Sequence, residues 1–311
     1  MGSPALVFGT HQHTPTVVAL QHIRRMRGGA QSHLMRCSDR NLYVVKFQNN
    51  PQHIRVLANE FIVTRLASLV GLPIPEAAVV EVGESLIQNT AELCVQVGEN
   101  SIPCAAGLNF GSCYAVDPLK GQLFDYLPLE MFSKVRNPET FAGMLAFDKW
   151  VGNIDNRQAI FSRRMVEHKY RVSFIDHGYC FNVGDWDFHD KPLRGAYVRN
   201  EVYCNVRDWE AFEPWLSRIE GIGENLLWSA LAATPPEWYG DDCVALEKLA
   251  QALFERRGIV RELITAFRNS NRHPFPLWGQ KQIIWNDIPD LEQHSNISGR
   301  QLGHLRMGLL N

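Results

Sequence analysis

The feature that most constrains this chain is a change of hydrophobic period near Pro128. Before it, apolar residues fall in short runs, alternating or clustered with β-branched neighbours; after it, most recur at the spacing of amphipathic helices. A strand-forming half followed by a helix-forming half predicts an α+β protein in which a sheet lobe meets a helical lobe. At 311 residues and 45% hydrophobic content, there is material for a sizeable core.

In the first half the pattern predicts strands at Thr16–His22, Ser32–Cys37 and Leu42–Phe47. A glycine-bearing turn, Arg27-Gly28-Gly29-Ala30-Gln31, separates the first two, and a polar hairpin connection, Ser38-Asp39-Arg40-Asn41, separates the next two. A helix from about Gln52 to Val70 follows, stopped by Gly71, and Leu72-Pro73-Ile74-Pro75 is then extended because each proline disfavours helix in the residue before it. Further strands are expected at Ala77–Glu81, Leu93–Val97 and Gln122–Tyr126, giving a mainly antiparallel sheet with one packed helix. Gly107-Leu108-Asn109-Phe110-Gly111-Ser112 reads as a plain surface turn or as a second glycine loop near a cleft.

The second half predicts helices at Pro138–Val151, Trp209–Ile219, Glu224–Ala232 and Cys243–Phe267, and strands at Ala159–Arg163 and Tyr170–Ile175. The expected domains are an N-lobe over 1–127, a helical C-lobe over 128–275, and a C-terminal arm over 276–311 with no assigned role.

The 31 basic and 33 acidic residues leave a formal net charge of -2, which gives no overall field toward nucleic acid or an anionic membrane. No segment approaches the roughly 20 consecutive apolar residues of a membrane span, and the N-terminus lacks a signal-peptide pattern, so a cytoplasmic protein is expected. Seven scattered cysteines without a CxxC pair are expected to be buried, reduced thiols.

Two constellations carry chemistry. The first is a glycine turn with a following serine (Gly28, Gly29, Ala30, Gln31, Ser32), then Lys46 in a strand, then Glu60 in the next helix. Phosphoryl transfer uses each type: glycines admit phosphate oxygens to backbone amides, lysine neutralises their charge, and a helix glutamate holds the lysine. The second runs from Phe147 through Asp155, Asn156, Arg157 and Gln158 to Phe174-Ile175-Asp176-His177-Gly178. A carboxylate at a strand end, Asp176, suits a magnesium ligand, and the loop carboxylate Asp155 suits orientation or deprotonation of an attacking hydroxyl. His177, His189 and the aromatic set Trp186, Phe188, Tyr197 and Tyr203 are read as packing or surface residues.

These residues resemble the HipA-like kinases over roughly residues 16 to 265. Gly29-Ala30-Gln31 is similar to that family's phosphate loop, Val44-Val45-Lys46 to its lysine strand, and Asn59-Glu60-Phe61 with Gly71-Leu72-Pro73-Ile74-Pro75 to its helix and exit. Gly152-Asn153-Ile154-Asp155 resembles its catalytic loop and Ile175-Asp176 its metal strand end. The resemblance implies a two-lobed, protein-kinase-like fold that takes ATP and Mg2+. It makes Asp155 the catalytic aspartate, Asp176 the main metal ligand and Lys46 the α/β-phosphate contact. Gln122–Leu127, with Phe124, Asp125 and Tyr126, is the implied adenine hinge. The family's asparagine five positions after the catalytic aspartate is replaced by Ile160, leaving Gln158 or Asn156 to offer an amide oxygen, Gln158 being preferred. Typical members also carry an extra subdomain before the phosphate loop, so a short, stand-alone domain is expected.

The expected function is phosphorylation of a serine or threonine hydroxyl of a protein, with an antitoxin-like or other regulatory partner, no membrane, and nucleic acid only indirectly if at all. A small-molecule or lipid phosphotransferase on the same fold, and a nucleotide-binding pseudokinase scaffold, stand as alternatives.

Overall fold

Residues 16–280 are described by the computed structural model. Its first half is β1 (Thr16–Arg25), β2 (His33–Cys37), β3 (Leu42–Lys46), α1 (Val56–Leu69), β4 (Ala77–Val82), α2 (Glu84–Gln88), β5 (Cys94–Val97), β6 (Asn100–Pro103) and β7 (Gly107–Cys113). Then come β8 (Gly121–Phe124), α3 (Thr140–Trp150), β9 (Gln158–Arg164), β10 (Arg171–Ile175), α4 (Trp215–Glu220), α5 (Glu224–Leu231), α6 (Cys243–Arg256) and α7 (Val260–Arg268), with short 3-10 turns between them.

Strands β1, β2, β3, β7 and β4 close into a barrel, antiparallel at every junction except the parallel pairing of β1 with β4. Its interior is filled by the inward set of the alternating strands, among them Val17, Met35, Val45, Phe47, Val80 and Val82. The turn or loop expected at Gly107–Ser112 is instead β7, hydrogen-bonded on both sides. Gly111 sits where a Cβ would lie 2.4 Å from Val80 Cγ2, so the close packing of β7 on β4 requires glycine. Gln122–Tyr126 is also placed differently. The strand there, β8, pairs with β9 in a separate three-stranded sheet with β10 rather than with the barrel.

Helix α1 is buried around its whole circumference, 11 of its 14 residues being inaccessible. A helix apolar on one face only would leave a wet side; this one belongs to the interior. Its apolar residues join the larger core, which is built on α3, β9, β10 and the C-terminal helices. Phe61 packs edge-on to Trp238 at 5.6 Å, Arg65 Nε donates to the Ala230 carbonyl at 3.1 Å, and Trp238 Nε1 donates to the Leu108 carbonyl of β7 at 2.9 Å. Truncating Phe61 to alanine is expected to cost about 3–5 kcal/mol. The helix that carries Glu60 is therefore fixed against the helical lobe.

Two predicted helices are interrupted. Trp209–Ile219 splits at Glu213-Pro214 into a 3-10 turn and α4, because proline cannot continue the hydrogen-bond ladder. Cys243–Phe267 splits near Gly258 into α6 and α7, and α7 buries Val260, Ile264 and Phe267. Of the seven cysteines, all free, Cys37, Cys104 and Cys180 are buried as expected; Cys94 and Cys113 are half-buried, and Cys204 and Cys243 are exposed. Among the described residues no helix is long and apolar enough to cross a membrane. The expected C-terminal arm lies outside the described residues from 281 on, while Trp278 still packs against Trp209 and Phe275.

Candidate active site

A cleft enclosing about 990 Å³ out to its mouth opens between the barrel and the helical lobe. Its roof is the β1–β2 turn, and its floor includes β9, the end of β10 and Asp176. The turn is closed by the Met26 N–H donating to the Ser32 carbonyl at 2.8 Å, with Gly28 at φ +117, a conformation open to glycine and strained for other residues. Asn50, buried just after β3, donates to the Ala30 carbonyl at 2.8 Å and so fixes the turn over the cleft. Gly28, Gly29, Ala30 and Ser32 line the cavity. Gln31 does not: at φ 47 it turns outward, and its amide pairs with the backbone of Gln96 in β5. Its role is to tether the turn.

Lys46, at the end of β3, is 7% exposed and donates to both Glu60 Oε1 and Asp176 Oδ1, the latter at 2.8 Å. Glu60 Oε1 also accepts the backbone N–H groups of His177 at 2.9 Å and Gly178 at 2.8 Å. One carboxylate thus ties the barrel's lysine to the strand end that carries Asp176. Burial works against the Lys46 ammonium, but the two carboxylates outweigh it and raise its pKa, so it stays charged. The same ammonium holds the Asp176 carboxyl down to about 2, against the opposing effect of its own burial. Asp176 sits at φ 64, in the left-handed region that aspartate tolerates better than most residues. Strain of this kind collects at functional sites.

The neighbouring residue of the Asn-Glu pair works on the same segment. Asn59 Nδ2 reaches the carbonyls of Gly178, Cys180 and Val183, and Asn59 Oδ1 accepts from Trp186 Nε1 at 2.7 Å. The Trp186 packing role expected from sequence is found here, with the Arg55 guanidinium over its ring at 4.3 Å.

Beneath the cleft lies a second charged cluster that the sequence reading left without a role. Asp148 of α3 and Arg157 are fully buried and paired, with Arg157 Nε to Asp148 Oδ2 at 2.9 Å, and Asn153 Nδ2 donates to Asp148 Oδ1 at 3.0 Å. Arg157 Nη1 donates to the Ile175 carbonyl at 2.8 Å and the Asp176 carbonyl at 3.1 Å, and contacts His177 Nδ1 at 3.1 Å. Burial and this guanidinium push the His177 pKa well below its ordinary value, so the ring is neutral and structural. The sequence signal was present: a charged side chain at Asp148 inside an otherwise apolar helix needs a buried partner.

Gln158, at the start of β9, lines the cleft and donates from Nε2 to Asp176 Oδ2 at 2.6 Å. Asp155 and Asn156 are exposed and do not line the cavity; the Asn156 N–H caps Asp155 Oδ1 at 2.7 Å, and the Asp155 N–H is held by Asn153 Oδ1 at 3.1 Å. The loop carboxylate thus sits three residues before Gln158 and two before Arg157, on the segment that leads into the cleft. Ile160 and Phe174 form part of the apolar floor.

The expected hinge at Phe124, Asp125 and Tyr126 is not on the cleft wall. Of that strand only Leu123 reaches the cavity, whereas Ser112, Cys113, Tyr114 and Ala115, at the end of β7 and just beyond, line it. Because β7 rather than β8 is the barrel strand, the connection between the lobes leaves from β7.

The residues present fit a nucleotide with a hard divalent cation. Asp176 and Gln158 present oxygen donors at the cavity floor, and the glycine turn leaves space for phosphates. Among the described residues no three His, Cys, Asp or Glu side chains form a complete metal cage.

The fold is shared with known proteins. Solved structures of similar fold include the Helicobacter pylori proinflammatory kinase CtkA, with a TM-score of 0.53 and 14% identity over 83% of this chain and 99% of that one. Hydra Fam20, solved with sugar, gives a TM-score of 0.50 and 13% identity over 85% of this chain and 90% of that one. At such identities the likeness is one of fold, two-lobed and kinase-like. No curated protein matches the chain. The model of the HipA-like kinase family matches residues 20–266, most of the chain, and the protein belongs to that family.

Proposed function

We propose that the protein transfers the γ-phosphate of ATP to a serine or threonine hydroxyl of a protein. The observation that carries this reading is the side chain of Lys46, clamped between Glu60 and Asp176 at the bottom of a cleft roofed by a glycine turn. Lys46 faces the phosphates, with Glu60 holding it in place; the backbone of Gly28–Ser32 cradles them; the backbone of Cys113–Ala115 lies where a purine edge can be bonded. Asp176 and Gln158 are the residues that would hold Mg2+, with Asn156 nearby in sequence, and the ion when bound neutralises charge on the transferred group. Asp155 orients the attacking hydroxyl from the exposed loop at the cleft's approach and accepts its proton. Catalysis of this kind is positioning and electrostatics, which the fixed α1 and the Arg157 cluster supply in advance. A protein partner that controls the activity, antitoxin-like or otherwise, and a cytoplasmic location belong to the same reading, by family membership.

One observation favours a second reading, a nucleotide-binding pseudokinase. Ile160 occupies the cavity floor where the family's metal-binding asparagine is expected, and it offers no oxygen. Transfer of label from γ-labelled ATP, to the protein itself and to a mixture of protein and small hydroxyl acceptors, separates the readings. Under the kinase reading Asp155→Ala and Asp176→Ala each lose at least about 10²–10³-fold in transfer while keeping a native circular dichroism spectrum. Full activity in either variant removes the role assigned to it, and nucleotide binding without any turnover by the wild type favours the pseudokinase.

A further inference from the structure

A second cavity lies on the far side of Tyr114 and Ala115, the two residues that line both it and the nucleotide cleft. Its walls are the connection from β7 to β8 and the β9–β10 hairpin, with Arg136 from the segment that precedes α3. Five cationic side chains line it, Lys120, Arg136, Arg163, Arg164 and Arg171, against two carboxylates, Asp117 and Glu167. Local pairing occupies both carboxylates: Lys120 with Asp117 at 3.3 Å and Arg136 with Glu167 at 3.3 Å. Three arginines remain in excess. Arg163 is already engaged, its Nη2 donating to Gln122 Oε1 at 2.7 Å and its guanidinium lying 4.9 Å from the Tyr170 ring centre, which leaves the exposed Arg164 and Arg171 as the available cations.

The same groove carries Leu119, Met165 and Val166, exposed to 87%, 75% and 87%. A single exposed apolar side chain on a protein surface is ordinary, but three large ones around one concave, positively charged site mark an interaction surface. Arginine in excess selects carboxylates, which it can bond in a bidentate manner, and the apolar side chains select a partner with bulky apolar groups of its own. Nucleic acid meets the first condition through its phosphates and not the second: a sugar–phosphate backbone gains little from Leu119, Met165 and Val166.

We propose that this groove docks an acidic protein segment bearing bulky apolar residues, held beside the nucleotide cleft behind Tyr114 and Ala115. The docking does not depend on phosphoryl transfer, and it holds equally for a controlling partner or for an acceptor chain. The test is fluorescence anisotropy of the full chain with a short labelled peptide of alternating glutamate and leucine. The comparators are a glutamine–leucine peptide, a glutamate–serine peptide and an oligothymidylate of similar length. Saturable binding of the glutamate–leucine peptide is expected, with both comparator peptides weaker. The paired changes Arg164→Glu with Arg171→Glu, and Met165→Ser with Val166→Ser, each weaken it by about tenfold or more. All four residues are exposed, so the variants are expected to keep the wild-type melting curve and nucleotide binding, measured in parallel. Absence of saturable peptide binding overturns the proposal. So does equal binding by either variant, equal binding of either comparator peptide, or tighter binding of the oligothymidylate.

Discussion

Two buried charge clusters lie side by side under the cleft, and they differ in one respect. Arg157 and Asp148 are wholly enclosed, every direction of the guanidinium being taken by a carboxylate, a backbone carbonyl or His177. Lys46, Glu60 and Asp176 are built from the same kinds of group, yet one side of the cluster opens onto the cavity, where the Asp176 side chain keeps 26% of its surface. A closed cluster of charges positions backbone; an open one leaves charge available to a ligand. The contrast separates structural from chemical residues where sequence shows only Asp, Glu, Lys and Arg.

The largest effect is expected on the closed side. Asp148→Ala leaves the Arg157 charge buried and unpaired, and a loss of about 3–5 kcal/mol in urea unfolding is expected. A loss under about 1 kcal/mol breaks the distinction, because it makes the closed cluster as tolerant as a surface pair. On the open side the effect is pH-dependent. Asp176 has its folded pKa lowered to about 2, so its stabilisation is present above the ordinary aspartate value and fades as pH falls through the folded one. The wild type is expected to lose about 2 kcal/mol between roughly pH 4 and pH 2 through this carboxyl, a slope that Asp176→Asn lacks. Parallel acid unfolding of the two proteins removes Asp176 as the partner that holds Lys46. The smallest effect sharpens the metal question. Gln158→Ala is expected to lower Mg2+ affinity in a metal-dependent transfer assay by about tenfold, and no change assigns the second oxygen elsewhere.

Much of this site was legible because its signals are local. The glycine turn, a lysine inside a strand, a glutamate one helix later and an aspartate at a strand end are each readable within a few residues, and Gly28, Gly29, Ala30, Ser32, Lys46, Glu60 and Asp176 line one cavity, while Gln31, Asp155 and Asn156 do not. That Ser112–Ala115 rather than Phe124–Tyr126 line the cleft was not legible, for a physical reason that begins with β7. A strand containing Gly107, Asn109 and Gly111 has poor intrinsic strand preference, and it is a strand because β3 and β4 pair with it and leave no room for a Cβ at Gly111. Reading it as a loop moves the lobe connection one strand onward, to Phe124, Asp125 and Tyr126. Gln31 failed similarly: its partner, Gln96, is 65 residues away, and no local pattern announces it. Asp148 and Arg157 were nine positions apart in a segment already singled out, but their pairing appears only when α3 and β9 pack.

The proposed reaction requires a triphosphate lying between the glycine turn and the Lys46–Asp176 pair. A crystal structure with a non-hydrolysable ATP analogue and Mg2+ tests this most directly. The expected result has Lys46 Nζ on the phosphates, Asp176 on the ion and the purine against the backbone of Cys113–Ala115. A nucleotide bound elsewhere, or a cleft that stays empty at saturating analogue while Lys46 keeps both carboxylates, contradicts it.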